Sequence, residues 1–566
     1  MNSLPKKTNS TLAAEPILVQ QDGRKNLLSP DPTGRLHLVG RRGRGVLTVK
    51  LSLPIVDIHG YWHPDCRWPS AKLNWNIRFL SAFNRFWPII SFFSLNGDNR
   101  CTLSITDCID DCEVKAIMNQ SRRCYEISFT VTVPDNQDIE FDLHIDSEGG
   151  KWAQAVSRQV ARLARLNPAP TIPADAWTPV FCTWYAAHAC LTQEWVEKTA
   201  KTISELGFGT LILDDGWSYP AARKVTPATS STWYKDVGDY EICREKFPSF
   251  RRHLEQIHAM GLKYMLWIAP FLIGTDSRFA TEHPNGISEQ AVSGFRLLDF
   301  SNPDTNKDIL ETMLRLLRES DVDGLKIDFI DKPSPSLEQP VGRRIWQFVN
   351  EMSLRLREIK PSMLIEFRES YCHRAIASLA TQYRAGDVPL DWMDNFRRVA
   401  KIHLELGDGF PAHSDPAFWH EDELPENISR HMMAAISGVP MVSVPLERQT
   451  PLTLSIIRHW LDFYKKHIEL FKHGKWESRY YGENLCHTTI LHGNEGIAYL
   501  LDDARLPEVA KKARFILNMS PAILHLSNAR YFDCTGKEIS GGAPPGGYAL
   551  NQHCGMQTGT GDGKEG

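Results

Sequence analysis

The chain has 566 residues, of which 42% are hydrophobic and 23% charged, a balance that excludes the disordered and collagenous classes. Its 64 basic and 68 acidic residues leave a net charge of −4, so no overall attraction draws it to nucleic acid or to an acidic lipid surface. The 16 tryptophans are a generous number; indole faces suit sugar rings, although any single Trp is more often a core residue.

The leading segment, as far as Asn26, lacks the continuous apolar stretch of a secretory signal, and no later segment reaches the ~20 apolar residues of a membrane span. The expectation is a cytoplasmic enzyme without a membrane partner. The 12 cysteines show neither C-x-x-C nor paired Cys/His spacing, which points to free thiols rather than a zinc site. Four of them fall within 101–124, leaving a local disulfide or metal knot as the lesser alternative.

Residues 30–148 contain short runs such as GVLTVKLSLPIVDIHG and YEISFTVTV, whose period-two alternation predicts antiparallel β structure. A helical stretch and the proline-rich NPAPTIPADAW follow. The first domain is therefore expected over 1–170, a β-sandwich with a linker helix. Beyond it, β-like runs alternate with longer helical patterns, the signature of parallel βα units. Eight such runs occur, at 178–187, 209–217, 263–271, 324–330, 363–370, 382–387, 406–415 and 438–445, and eight closes a (β/α)8 barrel. The barrel is expected over 171–474. Strand-like pieces return over 475–566, read as a small C-terminal β domain whose last dozen residues are disordered. The fold class is α/β, a (β/α)8 barrel flanked by an N-terminal antiparallel β-sandwich and a small C-terminal β domain.

Catalytic residues of such barrels project from the C-terminal ends of the strands, and polar residues accumulate there. The second run ends in Asp214-Asp215-Gly216-Trp217, the third in Trp267, the fourth in Lys326-Ile327-Asp328, the fifth in Arg368-Glu369, the sixth in Arg384-Ala385-Gly386-Asp387 and the seventh in His413-Ser414-Asp415. An isolated strand-end Asp is usually a helix N-cap. Capping does not require a Lys or Arg two or three positions earlier, and here two of the five acidic strand ends, Asp328 and Asp387, have one.

Converging carboxylates in a Trp-rich ring fit glycoside hydrolysis, in which one carboxylate attacks the anomeric carbon and another protonates the leaving oxygen. Lys326 and Asp328, two apart, share a strand face, so the ammonium is expected to hold Asp328 ionised as a nucleophile. Asp387, in a glycine-containing turn, is the candidate acid, with a raised pKa.

Taken in order, FCTWYAA, LILDDGW, LWIAP, LKIDF and YRAGD resemble the melibiase-type α-galactosidases of glycoside hydrolase clan D, most like family 36. The resemblance implies a retaining enzyme without a cofactor or metal, acting on α-linked oligosaccharides. It implies Asp328 as nucleophile and Asp387 as acid/base, Asp214 and Asp215 on the 4- and 6-hydroxyls, Lys326 on the 3- and 4-hydroxyls, and Arg384 near the 2-hydroxyl. Trp184, Trp217 and Trp267 would wall the pocket, and Arg368 completes the substrate-binding candidates. Related enzymes often assemble, so a homo-oligomer is a possible state. The chain departs from the family where a Cys-Ser-Gly-Gly-Gly-type loop usually follows the fifth strand; here it reads Glu369-Ser370-Tyr371-Cys372-His373-Arg374. That departure bears on the sugar more than on the reaction. An α-N-acetylgalactosaminidase, an α-glucosidase-like enzyme, a transglycosylase and an inactive sugar-binding protein are the alternatives. In the first domain, Asp57, His59, Trp62 and His63 form a cluster with three readings: polar strand-end packing, a metal site, or a loop giving the barrel mouth an aromatic wall.

Overall fold

The computed structural model of the chain describes residues 16–43, 45–388 and 390–552. The expectations for the leading segment before residue 16, for the last dozen residues and for Cys554 lie outside the described residues.

The centre of the molecule is an eight-stranded parallel barrel: β1 (Val180–Cys182), β2 (Thr210–Leu213), β3 (Lys263–Ile268), β4 (Gly324–Ile327), β5 (Leu364–Arg368), β6 (Gln382–Arg384), β7 (Ala412–His413) and β8 (Met441–Val442). Consecutive strands pair from β1 to β7, and β8 returns to pair with β1 through Val180 and Met441. A parallel bridge between His413 and Val439 closes the remaining gap. The strands read as short apolar runs because helices cover their outer face and side chains fill the interior; all four residues of β2 are buried. Helix boundaries follow local chemistry. The Thr192 hydroxyl caps Gln193–Leu206, which stops at Gly207 with φ 99°, and the Asn302 side chain caps Pro303–Glu319.

Each strand is shorter than its apolar run. The first run leaves the sheet after Cys182, and Trp184–Ala187 form a helical turn. The second ends at Leu213, and Gly216 at φ 109° then turns the chain away. The seventh run contributes two residues only.

Two antiparallel sheets precede the barrel. One has six strands with Val46–Pro54 and Cys124–Thr132 at its centre; the other has five, with Asn99–Ile105 between Ile139–Asp146 and Ile89–Phe93. Alternation along Val46–Pro54 turns Leu47, Val49, Leu51 and Leu53 into the core between the sheets, where they meet Phe129, Leu103 and Phe141. Helix Trp152–Leu166 places Trp152 against Trp62 and Phe93.

The sandwich grips the barrel loop that follows β4. Asn84 Nδ2 donates to the carbonyls of Ile330 and Pro333 at 2.9 and 2.8 Å. Asp111 accepts from the backbone N–H groups of Ser336, Val341 and Gly342. His373, in the segment after β5, bonds the Phe83 carbonyl through Nε2 at 2.8 Å. After the barrel a seven-stranded sheet runs from Lys475 to Asn551, antiparallel except where Glu495–Leu500 and Phe515–Asn518 pair in parallel, and its first strand sets Tyr480 against Trp152.

The 11 cysteines within the described residues are all free, including the four at 101–124. Among the described residues no helix is long and apolar enough to cross a membrane.

Candidate active site

The strand ends converge at the C-terminal mouth of the barrel in two groups. The first is built on β2. Asp214, 3% exposed, has its backbone N–H on the Thr183 hydroxyl, and its Oδ2 accepts from Lys326 Nζ at 2.5 Å and Cys182 Sγ at 3.1 Å. Asp215 accepts from Trp233 Nε1 at 2.7 Å and the Tyr219 hydroxyl at 3.2 Å. Burial pushes the Asp215 carboxyl up to about 7, against these hydrogen bonds. Arg223 stacks over both Tyr219 and Trp233, and Trp184 meets Trp233 edge-on at 5.5 Å.

The second group is a closed ring of charge. Arg368, at the end of β5, donates through Nη1 to Asp328 Oδ1 at 3.1 Å and through Nη2 to Asp387 Oδ2. Arg384, at the end of β6, donates through Nη2 to Asp328 Oδ2 at 3.4 Å and through Nη1 to Asp387 Oδ1 at 3.0 Å. Each carboxylate therefore holds one oxygen on each guanidinium, and the two acids face each other across the width of a guanidinium group. Trp267 Nε1 lies 3.3 Å from Asp328 Oδ2 as a further donor. Phe329, immediately after Asp328, has φ 60°, and its N–H donates to Asp328 Oδ1 at 3.0 Å. A left-handed Phe is strained, and the neighbouring contacts hold it there.

The ring changes the expected electrostatics. Burial by itself would raise the pKa of Asp328, but Arg368, Arg384 and then Lys326 outweigh it and hold the carboxyl below its ordinary value. The nucleophile candidate is ionised, though chiefly by the arginines; the Lys326 ammonium is bonded to Asp214. For Asp387 the expectation of a raised pKa is corrected. Burial again acts upward, and Arg368, Arg384 and Lys326 overcome it, holding the carboxyl far below the usual carboxylate range. Sequence spacing placed Arg384 beside Asp387 but had no means of placing Arg368 there.

The remaining candidates divide between mouth and support. Trp184 and Trp267 stand beside the carboxylates. Trp217 turns inward, 1% exposed in the barrel core, and its indole donates to the Trp267 carbonyl at 2.9 Å. Its position supports Trp267 rather than facing the opening. Asp415 anchors Arg384 at 2.6 Å, receives Val388 N–H at 2.8 Å, and is pushed up to about 7 by burial. His413 points into the barrel, bonding the Ala176 carbonyl, with Nδ1 3.2 Å from Glu366. Ser414 accepts from Met441 N–H.

The cluster at 57–63 separates. His59 and Asp57 pair at the surface, Trp62 is 1% exposed against Trp152, and His63 stacks on Phe79 at 4.4 Å with its pKa lowered by burial to about 4. Among the described residues no group of three or more His, Cys, Asp or Glu is placed to hold a metal ion. Trp62 is thus no wall of the mouth. The next residues, Pro64 to Arg67, border a cavity with Arg368 and Asp387.

Sequence reasoning missed Tyr219, Trp233, Tyr185, Phe329 and Asp331 around this mouth. The length of the loop after β2 and the aromatic pair Trp233-Tyr234 within it are the signal that pointed there, since loops at this face of a barrel bear function.

A closed parallel barrel whose charged strand ends meet at one mouth is flanked here by a β-sandwich and a C-terminal β sheet. The melibiase family model matches residues 153–340. α-Galactosidase 1 of Pediococcus pentosaceus is 22% identical over 316 residues, 52% of this chain and 41% of the relative. The chain thus spans about two fifths of the length of that relative. Among solved structures, an AgaA α-galactosidase variant of family 36 from Geobacillus stearothermophilus in complex with 1-deoxygalactonojirimycin superimposes with a TM-score of 0.66 at 15% identity, covering 96% of this chain and 80% of that one. Another AgaA variant, in complex with raffinose, gives 0.66 at 14% identity, over 94% and 81%. The chain is similar to the melibiase family over residues 153–340, and its fold is that of the solved family 36 α-galactosidases.

Proposed function

We propose that the protein is a retaining glycoside hydrolase that releases terminal α-linked galactose from oligosaccharides or glycoconjugates. The observation that carries this reading is the pairing of Asp328 and Asp387 across the mouth, after β4 and β6 on either side of β5, with both oxygens of each acid held by the same two arginines. Two facing carboxylates separated by a narrow gap suit the double-displacement route.

In that route Asp328 supplies the electron pair for a new bond to the anomeric carbon. The glycosidic C–O bond breaks, its electrons stay with the leaving oxygen, and Asp387 gives that oxygen a proton. Asp387, now a base, then takes a proton from water as the water attacks the ester and frees Asp328. Asp214, bonded to Lys326, and Asp215, held by Trp233 and Tyr219, offer a fixed set of donors and acceptors to sugar hydroxyls. Trp184 and Trp267 give the apolar ring face a surface. The AgaA variant crystallised with raffinose supports an oligosaccharide as the substrate class.

One observation favours a second reading, the same chemistry on a different α-linked sugar or transfer of galactose to another sugar. The stretch Glu369–Arg374, where the family has a glycine-rich loop, contains no glycine, and its turn Glu369–Tyr371 is buried at both ends beside Arg368. A panel of aryl α-glycosides, with product stereochemistry followed by NMR, decides both points. Fastest turnover of the α-galactoside with α-galactose as first product is expected; a β-product overturns the retaining mechanism, and preference for another glycoside moves the sugar assignment.

A further inference from the structure

The ring of charge poses a steric problem for any hydrolase that uses it. A sugar whose anomeric carbon reaches Asp328 while its glycosidic oxygen reaches Asp387 must occupy the space that a guanidinium now bridges. Arg384 is not free to leave. Its side chain is 2% exposed, and it is bonded to Asp415 and to the Ala385 carbonyl as well as to both acids. Arg368 is the rim member of the pair. Its side chain, 11% exposed, has hydrogen bonds to Asp328 and Asp387 alone among the described residues, and its guanidinium lies over the Phe329 ring at 5.1 Å.

Beside Arg368 lies a cavity of about 320 Å³ between the barrel and the Pro64–Arg67 loop, and Arg368, Asp387, Asp331 and Ser370 line its barrel side. Asp331 Oδ1 and Ser370 Oγ are buried and have no hydrogen-bond partner among the described residues. An unpartnered carboxylate oxygen at a protein wall is costly unless a donor can reach it. Arg368, held by the two acids alone, borders the same cavity, and Lys332 lies over the same Phe329 ring at 5.0 Å.

We propose that Arg368 is a displaceable clamp: in the free protein it stands between Asp328 and Asp387 where the sugar must go, and on substrate entry it swings over Phe329 to Asp331 and Ser370, freeing Asp387 for proton transfer. This rests on the glycosidase reading above. The clamp keeps two facing acids from repelling each other while the site is empty, and its departure removes the nearest cation from Asp387. Arg384, Lys326 and Asp328 remain facing Asp387, Asp415 holds Arg384 and takes the Tyr185 hydroxyl at 3.3 Å, Tyr234 meets Phe329 edge-on, and Asp65, Arg67, Arg398 and Lys401 border the cavity beside it. Glu369, also on the cavity, is already neutralised by Lys401 and Arg398, so Asp331 is the open acceptor. A proton from solvent then neutralises Asp387 before it passes to the leaving oxygen.

The test measures kcat and KM against pH for the wild type, Arg368→Met, Asp331→Asn and the double variant, on an α-galactosyl disaccharide whose leaving group is not activated. In Arg368→Met both acids lose a cation, so both pKa values rise and the whole bell of kcat/KM moves to higher pH by about one unit or more. KM falls about fivefold, because nothing competes with the sugar. Asp331→Asn leaves the ring whole and removes the resting place, so KM rises about tenfold while the bell stays in position. Placed on the Arg368→Met background, Asp331→Asn has no further effect on KM, a coupling that a merely structural role would not produce. An unmoved bell in Arg368→Met, or an Asp331→Asn effect that persists without Arg368, overturns the clamp. Asp331→Asn alone decides the question where Arg368→Met does not fold, since an unchanged KM overturns it. Absence of turnover by the wild type on every α-glycoside of the panel overturns the site reading, and the clamp with it; turnover with an unmoved bell overturns only the clamp.

Discussion

Asp328 and Asp387 share two arginines, and their roles separate only through what each can reach. Asp328 is 5% exposed, fixed by Trp267 and by the N–H of the strained Phe329, whereas the Asp387 side chain is 51% exposed at the rim. A fixed, ionised acid suits a nucleophile, and an acid open to solvent can refill its proton. Asp328→Ala is expected to lower kcat on an aryl α-galactoside by about 10³-fold or more; normal turnover in that variant would remove Asp328 from the mechanism. Asp387→Ala is expected to lose far less rate on a nitrophenyl substrate than on a natural disaccharide, because a stable leaving anion needs no proton. Steady-state rates on the two substrates check this, and equal losses would argue against the acid assignment. At this scale the sequence was informative about strand-mates and silent about strangers. Lys326 and Asp328 were legible as one face because side chains alternate along a strand. Arg368 comes from a neighbouring strand, so its grip on both acids is a fact of packing. The pKa of Asp387 therefore runs opposite to the expectation.

The turn after β2 shows what an element adds to its residues. Asp214 and Asp215 end a strand, and the chain must leave the sheet at once so that both carboxylates stay at the mouth. Gly216 does this at φ 109°, where a Cβ would sit 2.6 Å from the Ala189 Cα. Both the backbone angle and the close approach require glycine. Gly216→Ala is expected to cost about 1–3 kcal/mol of stability and to raise KM by displacing Asp215 from Trp233 and Tyr219. Thermal melting with steady-state kinetics measures both, and a variant with wild-type melting and KM would contradict this account. The motif D-D-G-W was readable as a strand end, and its glycine as a turn. Its tryptophan was not readable: Trp217 faces the core because the turn rotates it beneath Trp267. Strand lengths were overestimated for a related reason, since apolar residues continue past each strand into turns that pack under the mouth.

Across the whole molecule the buried ionisable groups set a pH window for stability. Burial raises Asp215 and Asp415 to about 7 and Glu405 to about 8, and lowers His63, His373 and His431 to about 4. A carboxyl whose folded pKa is raised binds protons more tightly in the folded state, so stability falls as pH climbs toward that pKa and is fully lost above it. A lowered histidine acts in the opposite sense, with stability lost as pH drops from about 6.5 through 4. Above about pH 6.5 these histidines no longer titrate while the raised carboxyls do, so the melting temperature is expected to fall between pH 6.5 and about 8. Glu405→Gln should flatten that fall, because both Glu405 oxygens are buried without a hydrogen bond among the described residues; the effect at pH 8.5 is on the order of a few kcal/mol. Calorimetric scans against pH measure it, and a wild-type slope in Glu405→Gln would count against the assignment. The sequence by itself determined the class of the fold, because apolar periodicity and turn chemistry are local, and it determined which strand ends bear charge. Only the tertiary structure decided how those charges pair. That Arg368 lies between Asp328 and Asp387, that Lys326 serves Asp214, and that Pro64–Arg67 border the mouth all depend on side chains brought together from distant parts of the chain. Periodicity records which way a residue faces; the closure of the barrel and the docking of the sandwich fix what it meets.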